Sequence, residues 1–171
     1  MILLCYDGSA DAQAAIDHCA LLMPGSHVEV LVVWETILET MTRTGAMGMG
    51  FGLLGVEDDA SADAAIEKGA QATAAEGAQR AIAAGLLAQP REANCNGGTA
   101  ETILAVADDL DGDVIVLGTR GRGNVKSLML GSVSHAVLHH ADRSVLVVPS
   151  ASLAEQRHNW AEHAQITAGT T

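Results

Sequence analysis

Five short apolar runs occur along the chain, and segments with helical spacing lie between them. The runs are Ile2 to Tyr6, Val28 to Val33, a weak run from Glu92 to Cys95, Val114 to Leu117, and Val145 to Val148. Three are unbroken stretches of Val, Leu and Ile, which are typical of strands buried on both faces. The alternation predicts a single doubly wound α/β domain, in which helices cover both faces of a parallel sheet and crossovers are right-handed.

The segments between the runs predict four helices. Ser9 and Thr99 can cap the first and the third, because a side-chain hydroxyl can accept a hydrogen bond from the first helical turn. The second is a long Ala-rich stretch from Asp58 to Leu87, and Ser132 opens the fourth.

Two segments depart from this alternation. Residues 36–56 are rich in Gly and Met and predict an inserted loop, which is either a lid or binding loop or an excursion without structure. Residues 150–171 form a polar tail, in which a short helix from Leu153 to Ala164 would be mobile or docked on a neighbouring subunit. The expected organisation is therefore a domain over residues 1–149, with the loop inserted at 36–56, followed by the tail at 150–171.

Composition narrows the class of protein. A length of 171 residues suits one domain, and 49% hydrophobic residues with only 2% aromatic ones predict a core of small aliphatic side chains. The net charge of -12 argues against nucleic acid and against an anionic membrane surface as partners. We expect a cytoplasmic protein, because no stretch approaches the roughly 20 apolar residues of a membrane span and the first residues lack a basic signal region. The three cysteines contain no CxxC pair and are interpreted as small apolar residues.

A stretch rich in glycine and positive charge, Gly118 to Ser132, joins the fourth apolar run to the fourth helix. Arg120, Arg122 and Lys126 lie in it, although the whole chain has only nine Lys and Arg. Glycines after a strand and Gly-Ser before a helix allow backbone N–H groups to surround a phosphate. The stretch therefore predicts a site for an anionic ligand.

Two common phosphate-binding motifs do not describe this stretch. A Walker-type loop needs Gly directly before Lys-Ser, whereas Val125 stands there. The dinucleotide fingerprint GxGxxG should follow the first strand, where the chain has Asp7-Gly8-Ser9 instead.

The spacing of Gly118, two residues, Gly121, nine residues, Gly131 and Ser132 resembles the nucleotide-binding signature of the universal stress protein family. The opening run through Asp7-Gly8-Ser9 and the ending Ser144 to Pro149 are similar to that family's first and last strands. The resemblance covers residues 1 to about 149. It implies an adenine nucleotide alpha hydrolase-like fold with sheet order 3-2-1-4-5, so that Asp7 and Gly118 meet at the carboxyl ends of neighbouring strands, where such folds bind ligands.

The resemblance also implies a set of nucleotide-contacting residues. They are Cys5, Asp7, Val33, Leu117, Gly118, Arg120, Gly121, Arg122, Gly131, Ser132 and Val133. Gly118 and Gly121 would let the backbone approach the ribose and phosphates, and the start of the fourth helix at 131–133 would hold phosphate oxygens.

Within this set, Val33 would read adenine through its backbone, while Cys5 and Leu117 would line the base and ribose pocket. Arg120 and Arg122, together with Lys126, are candidates for phosphate neutralisation. Asp7 would lie near the phosphates and assist a divalent cation, Mg²⁺ or Mn²⁺.

Each of these residues also has a purely structural interpretation. Gly118 could simply end a strand, Gly131-Ser132 could cap a helix, and Asp7 could cap the first helix. His135 and His139 are spaced as zinc ligands can be, but no Glu or Cys at ligand spacing joins them, which favours a surface or dimer-facing pair.

The resemblance implies an ATP-binding, nucleotide-dependent regulator or sensor in the stress response, acting as a homodimer paired through its last strand. No residue pattern predicts nucleophilic catalysis, since Ser9 has no His and Asp partners at recognisable spacing. Two alternatives stay open. The first is a slow ATPase or phosphotransfer protein that uses Asp7 and a metal ion. The second is a nucleotide-independent dimeric interaction module, whose loop and tail would contact an unknown protein partner.

Overall fold

A computed structural model of the chain describes residues 1–44, 59–95, 97–121, 130–156 and 158. Strands and helices alternate along them. The elements are β1 (Ile2–Cys5), α1 (Ala10–Leu22), β2 (His27–Trp34), α2 (Ile37–Thr44), α3 (Asp59–Ala83), β3 (Leu87–Asn94), α4 (Thr99–Asp109), β4 (Val114–Gly118), α5 (Ser132–His140) and β5 (Ser144–Val148).

The five strands form one parallel sheet in the order β3-β2-β1-β4-β5, which confirms the predicted topology. β1 lies at the centre, where Leu4 is in register with Val30 of β2 and Val116 of β4. The chain leaves β1 towards β2 on one side and leaves β4 towards β5 on the other. The carboxyl ends of β1 and β4 therefore border a crevice, which is the usual ligand position in such sheets.

Helices cover both faces of the sheet, as the apolar runs predicted. Leu4 of β1 belongs to a core cluster with α1 and α3, while the adjacent Leu3 belongs to a cluster with α4 and α5. On α3 the buried positions are all Ala or Gly: Ala70, Ala74, Gly77, Ala78 and Ala81. These small side chains let a long helix lie close to the sheet, which accounts for a core that has few aromatic residues.

The third strand was only partly predicted. It begins at Leu87 rather than Glu92, because its first half contains Gln89, Pro90 and Arg91, which do not read as an apolar run. In the described sheet β3 pairs only with β2, and an edge strand tolerates a proline that cannot donate a ladder hydrogen bond.

The expectation of a loop over residues 36–56 was wrong at its start, where α2 forms. Thr36 and Glu39 make a reciprocal capping box: Thr36 N–H donates to Glu39 Oε2 at 2.8 Å, and Glu39 N–H donates to Thr36 Oγ1 at 3.2 Å. The Gly- and Met-rich part, 45–56, lies outside the described residues. Thr99 also differs from expectation, because it is the first residue of α4 and Gly98 is the N-cap.

The start of the tail packs against the domain. Residues 151–156 are helical, two residues earlier than predicted, and Leu153 is fully buried in the chain's own fold. The expectation of a mobile segment, or one docked on a neighbour, was therefore wrong for these residues. The rest of the predicted helix, apart from residue 158, lies outside the described residues.

Candidate functional site

A cavity of about 540 Å³ lies at the carboxyl ends of β1 and β4. This volume is within the range of small-molecule pockets, roughly 300–1,000 Å³. Ten of the eleven predicted site residues line it: Cys5, Asp7, Val33, Leu117, Gly118, Arg120, Gly121, Gly131, Ser132 and Val133. The eleventh, Arg122, lies outside the described residues, as does Lys126.

The cavity also has lining residues that the sequence did not single out. They are Tyr6, Ala12, Leu31, Thr99, Ile103, Leu130 and Ser134. Thr99 and Ile103 belong to α4, which no motif connects to the glycine stretch. α4 belongs to the crossover that connects β3 to β4, and this crossover passes the crevice at the end of β4. Only that topology could have indicated Thr99 and Ile103 from the sequence.

The walls of the cavity are mostly apolar near β2 and α4. Leu31 and Val33 of β2 face this part, together with Ile103 of α4 and Leu117 of β4. Cys5 ends β1 here, and burial, followed by the charge of Asp7, raises the pKa of its thiol to about 12. The thiol is therefore neutral at physiological pH and acts as part of the apolar wall.

The start of α5 forms another part of the cavity lining. Gly131 is the N-cap, and no side chain caps this helix. The N–H of Gly131 donates to the carbonyl of Thr119 at 2.9 Å, so it is already used within the protein. The N–H groups of Ser132 and Val133 belong to the first helical turn, which has no intrahelical acceptors. They are the donors that this part of the lining can offer to a ligand.

The loop after β4 is fixed to α5 by a buried hydroxyl. Ser134 Oγ lies 2.8 Å from the carbonyl of Gly118 and 3.2 Å from that of Thr119. A side chain on Gly131 would meet the Thr119 carbonyl at 3.1 Å, which is a tight approach. Ser134 and Gly131 thus hold the strand end against the helix start, and this contact shapes this part of the cavity.

Gly118 lines the cavity and also has a packing role that its position in the sequence did not indicate. A Cβ built on it would lie 2.7 Å from the carbonyl carbon of Asp11 and 2.9 Å from the backbone nitrogen of Ala12. Gly118 is therefore required for the packing of α1 on β4, while its approach to the ribose and phosphates stays a prediction. Gly121 differs, because its Cβ would meet the carboxylate of Asp7 at 2.6 Å at the rim of the cavity.

Asp7 follows β1 in the turn that leads to α1. Its Oδ1 accepts a hydrogen bond from Ser9 N–H at 3.0 Å, and Gly8 between them has a φ of 79°. That left-handed conformation favours glycine. Ser9 is the N-cap of α1, as predicted, and accepts from Ala12 N–H at 3.2 Å. Asp7 thus supports the turn and also presents its carboxylate to the cavity.

Arg120 faces the cavity but is also tied to α1. Its backbone N–H donates to Asp11 Oδ2 at 3.1 Å, and its Nε lies 3.8 Å from the same oxygen. Asp11 is buried, with only 5% of its surface exposed. Sequence patterns gave no sign of this pair, because 109 positions separate the two residues.

Metal ligands are sparse among the described residues, which contain no cluster of three or more His, Cys, Asp or Glu side chains suited to a metal ion. His135 and His139 stack on α5 with ring centroids 6.3 Å apart, and both are exposed. No described helix is long and apolar enough to cross a membrane.

A sequence profile of the universal stress protein family matches residues 1–149. The chain belongs to this family. Universal stress protein MJ0577 of Methanocaldococcus jannaschii is 40% identical over 48 residues, which cover 28% of this chain and 30% of that protein. A universal stress protein of Thermus aquaticus is 46% identical over 71 residues, covering 40% of this chain and 52% of the relative. The curated relatives are thus matched over about a third to a half of their length.

Solved structures of the family share the fold over most of the chain. The MJ0577 structure aligns with a TM-score of 0.65 at 22% identity and covers 86% of this chain and 94% of its own. A universal stress protein in complex with cAMP aligns with a TM-score of 0.57 at 20% identity, covering 88% and 97%. The protein from Archaeoglobus fulgidus in complex with dAMP aligns with a TM-score of 0.52 at 20% identity, covering 86% and 95%. At these identities the likeness concerns the fold.

Proposed function

We propose that the protein binds an adenine nucleotide in this cavity and acts as a nucleotide-dependent regulator or sensor in the stress response. The observation that carries the proposal is the polarity of the cavity, which has an apolar wall at β2 and α4 and open backbone donors at the start of α5. A nucleotide has the same division between its base and its phosphates. Two family members of the same fold are described in complex with cAMP and with dAMP, which supports the ligand class.

The proposed ligand would lie with its base against Leu31, Val33 and Ile103. Its phosphates would reach the N–H groups of Ser132 and Val133, where the helix dipole favours negative charge. Arg120 and Gly121 also line the cavity and would border the ribose and the first phosphate.

A divalent cation, Mg²⁺ or Mn²⁺, fits the site only as a partner of the nucleotide. Among the described lining residues, Asp7 is the one carboxylate. Mg²⁺ is commonly held by one or two carboxylates together with substrate phosphates. Asp7 would therefore supply one ligand, and the cation would neutralise phosphate charge when it is bound.

Hydrolysis is the second candidate function, and the described residues favour it less. Besides the neutral Cys5, the titratable groups that line the cavity are Tyr6, Asp7 and Arg120. Burial, followed by a hydrogen bond from its hydroxyl to Glu76 at 2.9 Å, raises the pKa of Tyr6 to about 12, so the phenol stays neutral. Among the described lining residues Asp7 is the one carboxylate that could act on a water molecule, which would support at most a slow ATPase or a phosphotransfer reaction.

A charged substitution at the start of α5 tests the binding proposal. Ser132→Asp places a carboxylate where the phosphates are expected, yet an acidic residue in a first turn favours the helix. We expect ATP affinity by calorimetry to fall roughly tenfold or more, with adenosine affinity nearly unchanged and the melting temperature not lowered. Ser132→Asn is the matched neutral control. Equal ATP affinity in the Asp and Asn variants would contradict the proposed phosphate position.

The native ligand is tested separately. Freshly purified protein is denatured, and the released small molecules are identified by mass spectrometry. Released ATP or another adenine nucleotide supports the proposal. If none is released and purified protein does not bind ATP, the alternative of a nucleotide-independent interaction module is favoured. Phosphate release that Asp7→Asn abolishes would favour the enzyme.

We also propose a homodimer through β5. In the described sheet β5 pairs only with β4, and its Val145 to Val147 edge has no proline or charge. Pro90 protects the opposite edge at β3, whereas an unprotected apolar edge invites another strand. Light scattering at micromolar concentration should give the mass of two chains, and a monomer mass would contradict the proposal. A cytoplasmic location and a further protein partner stay predictions.

A further inference from the structure

Asp11 is a buried carboxylate that no motif of the chain explains. It lies in the first turn of α1 and is 5% exposed. A buried carboxylate loses much of its hydration, so it requires hydrogen-bond donors or a positive charge nearby. Both come from Arg120, through its backbone N–H at 3.1 Å and its Nε at 3.8 Å.

The two contacts from Arg120 have different consequences. The backbone hydrogen bond, together with the contact from Ser9 Oγ to the Arg120 carbonyl at 3.4 Å, fixes the path of the loop after β4. The contact to Nε instead concerns charge. It places the guanidinium of a cavity-lining arginine beside a carboxylate that does not itself line the cavity.

This arrangement alters the electrostatic field of the cavity. Among the described lining residues only Asp7 and Arg120 are charged, so their formal charges already cancel. Asp11 adds one more negative charge directly behind the guanidinium. At a few ångströms in a partly buried site, such a charge changes the binding of an anion substantially.

We propose that Asp11 is a specificity-determining residue that limits how strongly the cavity prefers phosphorylated ligands. It does so by sharing the guanidinium of Arg120, so that less of this positive charge is available to a phosphate. The inference rests on the proposed nucleotide site, and it concerns the relative affinity for ATP and adenosine rather than affinity as such.

The substitution that separates the two contacts is Asp11→Asn. The amide oxygen can still accept the Arg120 backbone N–H, while the negative charge is lost. The matched control is Asp17→Asn, which removes the same charge from the same helix. Asp17 is exposed and pairs with Arg80 at 3.2 Å, roughly 9 Å further along the helix axis.

The readout is the ratio of the dissociation constants for adenosine and ATP, measured by calorimetry at low and high salt. We expect Asp11→Asn to raise this ratio threefold or more at low salt, roughly the size of a partly screened charge contact, and less at high salt. Asp17→Asn should leave it unchanged. The gain should disappear in the double variant Asp11→Asn with Arg120→Gln. A ratio that is unchanged or lower in Asp11→Asn overturns the inference.

A second variant covers the case in which Asp11→Asn does not fold. Arg120→Gln alone should lower the ratio by less than about threefold, because the proposal holds that this charge is already shared. A fall of tenfold or more would show an unshared phosphate ligand and overturn the inference.

Pyrophosphate binding tests the role of Asp11 separately from the proposed nucleotide binding, because pyrophosphate has no base or ribose. Tighter pyrophosphate binding by Asp11→Asn than by the parent supports the role of Asp11, even if the parent binds no adenosine and the nucleotide proposal fails. Adenosine and ATP binding with an unaltered ratio would leave the nucleotide proposal intact and overturn the role of Asp11.

Discussion

Replacing Gly118 by alanine should destabilise the fold before it affects any ligand. The added methyl group would lie 2.7 Å from the Asp11 carbonyl carbon, 2.8 Å from Asp11 Cβ and 2.9 Å from the Ala12 nitrogen. Two of these three atoms belong to the backbone of α1, so no side-chain rotation can relieve the contact. The helix must move away from β4, which also disturbs the Asp11 to Arg120 hydrogen bond.

The loss of folding stability in Gly118→Ala can be estimated from substitutions that add volume to other protein cores. Forcing extra volume into a packed interior costs about 1–3 kcal/mol, and a backbone contact belongs at the upper end of that range. For a chain of this size, a loss of about 3 kcal/mol lowers the melting temperature by about 6–12 °C. Loss of ATP binding by this variant would therefore not demonstrate a ligand contact.

The assay is urea unfolding followed by far-ultraviolet circular dichroism, with Gly69→Ala as the control. Gly69 lies in α3, is exposed, and has nothing within 4 Å of a built Cβ. Alanine there should stabilise the protein by about 0.5–1 kcal/mol, because glycine is the poorer helix former. The two substitutions are chemically identical and should act in opposite directions. A Gly118→Ala variant as stable as the parent would refute the packing argument.

Two further predictions follow from pKa values. Tyr6 is the only tyrosine in the chain. Burial, followed by the hydrogen bond to Glu76, raises its pKa from 10 to about 12. Ultraviolet absorbance should therefore show ionisation of the phenol near pH 12 in the folded protein. Because folding favours the neutral phenol, Tyr6 contributes to the free energy of unfolding fully below pH 10, and this contribution is lost as the pH rises towards 12. Ionisation of Tyr6 near pH 10 in the folded protein would contradict this prediction. Cys5, with a pKa of about 12, should react with iodoacetamide at pH 8 roughly a thousandfold more slowly than an exposed cysteine. Bound ATP should slow it further, as peptide mass spectrometry can measure, and equal rates with and without ATP would contradict the position of the base.

The sheet could be predicted because its strands are distinct from the rest of the sequence. Runs such as Val114 to Leu117 are continuous and apolar, which is typical of strands that are buried on both faces of a sheet. β3 was predicted only at its end, because this edge strand is half-buried or exposed along its length and contains Pro90 in place of a continuous apolar run. α2 could have been predicted from its Thr36 and Glu39 capping box, but the glycines that follow it suggested a loop.

The sequence predicted many of the residues that line the cavity, but not which of them contact each other. Spacing along the chain identifies a glycine without saying which neighbour occupies the space beside it. At Gly118 that neighbour is α1, at Gly121 it is Asp7, and at Gly131 it is the Thr119 carbonyl. The spacing of these glycines therefore partly reflects packing, because they lie where the starts of α1 and α5 approach the ends of β1 and β4. Asp11, which follows the familiar Asp7-Gly8-Ser9 turn by two positions, becomes visible only when α1 lies against β4. Gly118 lines the cavity, and Asp11 touches it only through Arg120, yet both are packed between α1 and β4. Substitutions at either position will therefore affect stability as well as binding.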